Sequence, residues 1–425
     1  MVTSIRAHLV SIGDELLNGR TVDTNSGFIQ RRLMRRGVAV EAVAVVPDRA
    51  GRITAALDAV PEEALAVVTG GLGPTRDDLT AETVAAWAAV PLREHEGVAR
   101  HLRGYWCEVR GFPYAENLVK QGLLPDGLDA LINPLGTAPA MVGELRGRTL
   151  VLLPGVPQEL RALWPSVEAW LGEHAGLGEP PPGLLRRTVR FSEPGLAKAT
   201  EALRARHPDL VWSWWLTRWG VDVQATAPSP AVPWPSGLET DLEAVLGDRV
   251  YAADLSELNE VVQADLIARG RTVAVAESCT GGLLGAALTE IAGSSACFLG
   301  GALTYADAVK TAALGVAPAT LAAHGAVSEE TAREMAVGCR ERFGSDHALS
   351  ITGIAGPDGG VPDKPVGTVC VGLASAGAAY AGRYLLGPYR YRNRELSVSL
   401  ALDALRRHLA TGADPFAGSG GETRR

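Results

Sequence analysis

The run Glu277-Ser278-Cys279-Thr280-Gly281-Gly282 packs a carboxylate, two hydroxyls, a thiol and two glycines into six residues. It follows a short apolar stretch, Thr272 to Ala276, that reads as a strand. It precedes a small-residue stretch, Gly281 to Ile291, that reads as a helix. A strand-to-helix turn places its side chains at the carboxyl edge of a sheet, where open α/β folds bind ligands. Amides at the start of the helix would face that ligand, and the glycines would let a phosphate come close. Amide hydrolysis there would need a nucleophile or activated water, a base, and donors for the oxyanion. Only His324 and His347 lie near such turns, which disfavours a Ser–His–Asp triad. Lys310, beside Thr304-Tyr305-Ala306-Asp307, is a candidate base if desolvation lowers its affinity for the proton. A second glycine turn, Ser350 to Pro357, could hold an oxyanion or phosphate through its amides and the Thr352 hydroxyl. Each feature has a plainer reading: a structural turn, a solvated lysine, and a Cys279 that packs rather than reacts. Taken alone, these residues reach as far as an α/β domain that binds an anionic ligand.

Three turns near the N-terminus carry a different chemistry: Gly13-Asp14-Glu15, Thr69 to Thr80, and Leu153 to Glu159. In the middle one, Gly70, Gly71 and Gly73 could cradle a phosphate. Asp77 and Asp78 could hold a Mg²⁺ that bridges phosphate oxygens, with Asp14 and Glu15 as further hard ligands. A metal so placed would polarise a pyrophosphate and activate water. The alternative is that Asp77 and Asp78 cap the next helix.

These turns need a scaffold, and the hydrophobic pattern supplies one. Apolar runs at Ala7–Ile12, Val38–Val46 and Ala64–Val68 read as strands. They alternate with amphipathic helices at Thr24–Gly37, Arg49–Val60 and Asp78–Val90. Thr149–Leu153 and Pro157–Trp170 continue the rhythm. That alternation favours a mainly parallel sheet covered on both faces. Glu179-Pro180-Pro181-Pro182-Gly183 interrupts it and marks a boundary. A small α+β module follows, with Trp212, Trp214, Trp215 and Trp219 close together as an apolar packing surface. From Leu255 the alternation resumes, with helices at Leu258–Ala268, Ser328–Phe343 and Arg394–Leu409 and strands at Phe298–Tyr305, Ala348–Thr352 and Val366–Ala374. The expected architecture is α/β: two three-layer domains with mainly parallel sheets, residues 1–172 and 255–412, joined by a module at 173–254. Residues 413–425 are expected to form a disordered tail.

A chain of 425 residues exceeds what one hydrophobic core usually serves, which supports this division. With 47% hydrophobic and 21% charged residues it is neither disordered nor membrane-like, and no apolar run nears ~18 residues. A net charge of −8 argues against direct nucleic-acid binding. The one dense basic segment, Arg31-Arg32-Leu33-Met34-Arg35-Arg36, reads as a solvated helix face. Five widely spaced cysteines and no signal-peptide pattern point to a reducing cytoplasm.

Several ordered motifs resemble one known family. Val275 to Gly282, Gly300-Gly301, Tyr305 with Lys310, Ser328, Thr352 to Gly360 and Pro365 to Val369 resemble the C-terminal domain of the CinA family of competence- and damage-inducible proteins. The N-terminal turns, with Thr21 to Ser26, Asn117 to Pro125 and Asn133 to Pro139, resemble that family's molybdopterin-binding-like domain. The resemblance implies a C-terminal nicotinamide mononucleotide deamidase that releases ammonia. Ser278 would be its active-site serine, Lys310 the base, Tyr305 an ordering neighbour, and Thr352 and Gly353 would lie at the carboxamide. Glu277, Thr280, Gly281 and Gly282 would line the ligand, and Arg394 would meet its phosphate. For the N-terminal domain it implies an ADP-ribose pyrophosphatase using Mg²⁺ or another divalent cation, with Thr75 and Asn25 joining Gly70, Gly71 and Gly73 at the substrate. It also implies a homodimer. The family usually has Ser-Asn where this chain has Ala306-Asp307, and Gly-Asp where it has Arg392-Asn393. Two other readings compete: a deamidase whose N-terminal domain only binds a nucleotide or pterin, and a non-enzymatic competence or DNA-repair factor.

Overall fold

The strand Leu65–Thr69 is apolar and wholly buried, as the centre of a sheet covered on both faces requires. It belongs to a computed structural model that describes residues 5–113, 116–176 and 181–417, apart from the side chains of 116 and 117. Part of the proline-rich boundary, 177–180, and the tail residues 418–425 lie outside the described residues. The chain divides into two compact units, Met1–Pro181 with Ser229–Ala231, and Pro182–Pro228 with Val232–Arg425.

In the first unit a six-stranded sheet runs Ala39–Val46, Arg6–Ile12, Leu65–Thr69, Arg148–Leu153, Ala140–Leu145, Leu128–Leu131. The first four strands are parallel and the last two antiparallel. Alternation along the strands splits the core in two. Val10, Ile12, Ala66 and Val68 face Ile53, Leu57, Val84 and Trp87. Leu9, Leu65, Val67 and Val151 face Ile29, Leu33, Leu163 and Trp164. Burying each such side chain contributes about 1.5–3 kcal/mol, so both layers are needed to hold the strand ends in place.

In the second unit a five-stranded sheet runs Phe298–Leu303, Val273–Glu277, His347–Gly353, Thr368–Ser375, Ala378–Leu385. The first three strands are parallel, and the last two form an antiparallel extension. A second, antiparallel sheet, Val211–Leu216, Val221–Thr226, Gly183–Thr188, Val250–Ala252, belongs to the same unit. The tryptophans divide between its two cores. Trp212 and Trp214 pack on the small sheet's own core, while Trp219, 1% exposed, sits among Leu258, Val398 and Leu402.

Three elements and the tail depart from expectation. The strand Ala378–Leu385 and the helices Asp307–Leu314 and Pro318–His324 had no sequence signal assigned to them. The tail expected from residue 413 is packed at Pro415 and Phe416. Phe416 is buried in the core, and the Pro415 carbonyl accepts from Arg407, because an aromatic ring gains more from the core than a tail loses in entropy. Among the described residues no helix is long and apolar enough to cross a membrane.

Candidate functional site

At the end of the strand Val273–Glu277, three parallel strands bring their carboxyl ends together. Glu277 is level with Leu303 on one side and Ile351 on the other. Glu277 and Ser278, Thr304 and Tyr305, and Thr352 and Gly353 therefore share one sheet edge. The Thr304 amide donates to the Glu277 carbonyl at 2.7 Å and the Ser278 amide to the Ile351 carbonyl at 3.0 Å. A Cβ on Gly353 would stand 3.1 Å from Cys279 Sγ, so the two glycine turns touch.

Lys310 lies on the first turns of Asp307–Leu314, and its side chain is 1% exposed. Its ammonium donates to the Tyr305 carbonyl at 3.0 Å and meets Asp307 Oδ1 at 3.3 Å. Asp307 thus places a carboxylate beside the buried lysine. Ser278 is buried, with 8% of its surface exposed. Arg394 reaches the same turn from the helix Arg390–Thr411. Its Nε donates to the Cys279 carbonyl at 3.1 Å and its Nη2 to the Thr280 carbonyl at 2.6 Å. The Tyr305 ring is exposed to solvent; its backbone, not its phenol, holds Lys310. Burial pushes the Cys279 thiol up to about 11, which removes it as a nucleophile.

Two expectations need correction. The amides at the start of Leu283–Thr289 do not face a ligand. The buried Glu277 carboxylate folds back and accepts from Gly282 at 3.0 Å, Leu284 at 3.1 Å and Gly285 at 2.8 Å. Gly281 donates to the Ser278 carbonyl. Glu277 is thus the cap of the helix rather than a substrate ligand, and Gly281 and Gly282 shape the turn without offering those amides to a phosphate. The Thr352 hydroxyl gives its proton to the Ala326 carbonyl at 2.7 Å, so it can accept from a ligand but not donate to an oxyanion. One polar atom stays open: Thr280 Oγ1 is fully buried and unpartnered.

In the first unit, a cleft of about 500 Å³ opens at the carboxyl ends of the parallel strands. Glu15, Asp48, Asp77, Asp78 and Glu159 all line it. The expected cage of Asp14, Glu15, Asp77 and Asp78 is not assembled: among the described residues no three His, Cys, Asp or Glu side chains converge on one point. Asp78 instead accepts from the Thr75 amide at 2.8 Å and the Thr75 hydroxyl at 2.6 Å. Asp77 takes the same hydroxyl, which holds its carboxyl below the usual range. Thr75 is therefore a turn residue here. Asp14 offers its backbone, donating to Asp48 Oδ2 at 2.9 Å. Asn25 Nδ2 donates to the Gly155 carbonyl at 2.7 Å, tying two of the cleft's turns together. Gly70 and Gly71 adopt positive φ, and a Cβ would strike the Ile12 carbonyl or the Thr80 hydroxyl. A Cβ on Gly73 would strike the Asp78 carboxylate.

Sequence reasoning gave no role to Asp48 or Gln121, and named Glu159 only as the end of the third turn. Burial raises the Asp48 carboxyl, and Glu15, Asp14 and Asp77 add to the rise against the Asp14 amide. Burial likewise raises Glu159, countered by the Asn133 amide at 2.7 Å. Gln121 donates to the Leu72 carbonyl at 3.1 Å, while its buried Oε1 is unpartnered. Asp48 follows the strand Ala39–Val46 as Asp14 follows Arg6–Ile12, and the pairing of those two strands brings them together.

Residues 255–409 match the family described as CinA C-terminal domain, and residues 8–170 the one described as probable molybdopterin binding domain. The CinA-like protein of Citrifermentans bemidjiense is 40% identical over 413 residues, covering 96% of this chain and 98% of that protein. The CinA-like protein of Synechococcus elongatus is 40% identical over 414 residues, covering 95% and 97%. A solved structure, the competence/damage inducible protein CihA from Agrobacterium tumefaciens, is 38% identical over 38% of this chain and 100% of its own, with a TM-score of 0.35. With whole-chain identity of this order and both domain families matched in turn, this chain belongs to the CinA family.

Proposed function

We propose that the second unit hydrolyses the carboxamide of nicotinamide mononucleotide, giving nicotinic acid mononucleotide and ammonia. The observation that carries this reading is buried Lys310, its ammonium on the Tyr305 carbonyl at the sheet edge that also holds buried Ser278. Ser278 Oγ attacks the carboxamide carbon, and its proton passes by way of Lys310 to the departing ammonia. Water then cleaves the resulting ester and restores the hydroxyl, so the sum is amide plus water to acid plus ammonia. Arg394 and the Thr280 hydroxyl, rather than the capped helix start, are the groups left to meet the phosphate. Purified full chain should release ammonia from nicotinamide mononucleotide without added metal. Ser278→Ala and Lys310→Met should each lower that rate by about 10³-fold. An unchanged rate in either variant overturns the assignment.

For the first unit we propose cleavage of the ADP-ribose pyrophosphate. Five carboxylates line its cleft, so a bare pyrophosphate would be repelled and must enter with a cation. Since no three ligands converge, the fit is to a Mg²⁺-like ion held by one or two carboxylates, Asp48 with Glu15 foremost, and by the substrate's own phosphates. Such an ion would supply polarisation of the phosphoryl oxygen. Formation of AMP from ADP-ribose with Mg²⁺ or Co²⁺ tests this; tight binding without turnover would favour a unit that only binds.

A further inference from the structure

The tight turn Thr217–Gly220, between the strands Val211–Leu216 and Val221–Thr226, meets the last helix. Arg392 donates from Nη2 to the Thr217 carbonyl at 3.0 Å and from Nη1 to the Arg218 carbonyl at 3.3 Å. Two helical turns further along, Ser399 Oγ donates to the Trp219 carbonyl, and the Trp219 ring is sunk into the core that holds Val398 and Leu402.

The opposite side of the same helical turn holds the candidate active site. Arg390 donates to the Gly356 carbonyl at 2.8 Å. Asn393, 1% exposed, donates to the Ala355 carbonyl at 2.9 Å and the Gly387 carbonyl at 2.8 Å. Arg394 grips Cys279 and Thr280 as described. At 100° per residue, positions 390 and 394 lie about 200° from position 392, so one turn of helix faces both partners at once. This helix starts at Tyr389 with no side-chain cap, which leaves its first turn prone to fray unless side chains hold it. Arg392 and Asn393 do so.

We propose that the Thr217–Gly220 turn of the antiparallel sheet is a positioning device for the amidohydrolase site, acting through Arg392 on Asn393 and Arg394. Arg392 touches no substrate. It fixes the first helical turn, which in turn fixes the two glycine turns and the guanidinium that faces the ligand. The proposal rests on the amidohydrolase reading of that site, but it can be tested apart from it.

In the full chain, Arg392→Ala should raise the KM for nicotinamide mononucleotide about 10-fold and leave kcat within about threefold, because ligand placement is lost while Ser278 and Lys310 stay. Arg392→Lys, which can still donate to both carbonyls, should recover most of the loss. Amide hydrogen exchange should quicken in residues 278–282 and 353–357 of Arg392→Ala and return toward wild type in Arg392→Lys. If Arg392→Ala does not fold, Arg392→Gln is read in the same way. A KM within twofold of wild type, or unchanged exchange in both turns, overturns the proposal. If the wild-type chain releases no ammonia, the deamidase reading falls, and the exchange data alone decide the coupling.

Discussion

The turns at Glu277–Gly282 and Gly70–Asp78 look alike as sequence: each follows a buried strand, is rich in glycine and carries acid. They differ in where the acid points. Glu277 turns inward and spends its charge on three helix amides. Asp77 and Asp78 turn outward onto a cleft that Glu15, Asp48 and Glu159 already make negative. The same backbone plan therefore yields two electrostatic environments. In the second unit the acid is neutralised, and a buried lysine and an arginine dominate. In the first, the acids remain and call for a cation. The direction of one carboxylate, more than the glycines, decides what each edge can bind.

The widest contrast should appear on removing the acid. Glu277→Ala strips three amides of their acceptor inside a dry site and should destabilise the second unit by about 4 kcal/mol. Asp78→Ala loses a partly exposed turn bond and should cost about 1 kcal/mol. Chemical denaturation of each variant reads both values, and equal losses would erase the distinction drawn between the two turns.

Chelation comes next. EDTA should lower AMP release from ADP-ribose by about 100-fold and leave ammonia release within twofold. If both activities fell together, the second unit would also depend on a metal, and its lysine-centred reading would fail.

Acid should also act on the second unit, through His347. Burial, with His408 beside it, holds His347 down to about 4, from a usual value of 6.5. The unfolded chain therefore binds a proton that the folded one refuses, and stability present above pH 6.5 drains away as pH falls toward 4, by about 2 kcal/mol. In the first unit the raised Asp48 and Glu159 work in the opposite sense to the lowered Asp23 and Asp77. In the second unit Asp222, which burial raises to about 6, opposes His347 over the same range, so the His347 share is read as the difference between wild type and variant. Melting curves from pH 7 to 4 for wild type and His347→Gln would show whether the slope of the second unit flattens when the imidazole is gone.

These contrasts also mark how far the sequence could be read. Apolar runs bounded by glycine located the parallel strands of both sheets, and with them the turns, because strand burial and turn chemistry are local. Lys310 stood out as a candidate base from its type and neighbours, while the roles of Ser278 and Arg394 followed from motif resemblance. Glu277 could not be placed, since an acid at a strand end has the same sequence signature whether it meets a ligand or caps its own helix. Asp48 needed the sheet order, which puts Ala39–Val46 next to Arg6–Ile12. Trp219 needed a contact with the last helix, about 180 residues away, and no periodicity records that.

The smallest expected effect bears on the ligands themselves. Each edge keeps one buried polar atom without a partner: Thr280 Oγ1 in the second unit and Gln121 Oε1 in the first. A buried hydroxyl with no partner destabilises a fold, so Thr280→Val, nearly the same shape, should leave stability unchanged or raise it by up to about 1 kcal/mol. If a phosphate oxygen is the missing partner, the same variant should raise KM for nicotinamide mononucleotide several-fold while kcat holds. Gln121→Leu is the matching change in the acidic cleft. There the open atom is an acceptor among carboxylates, and what it lacks is a donor such as a ribose hydroxyl. Its loss should weaken ADP-ribose more than inorganic pyrophosphate. A Thr280→Val enzyme that is less stable and kinetically normal would mean the hydroxyl serves the fold, and the phosphate would then have to lie elsewhere along Arg394.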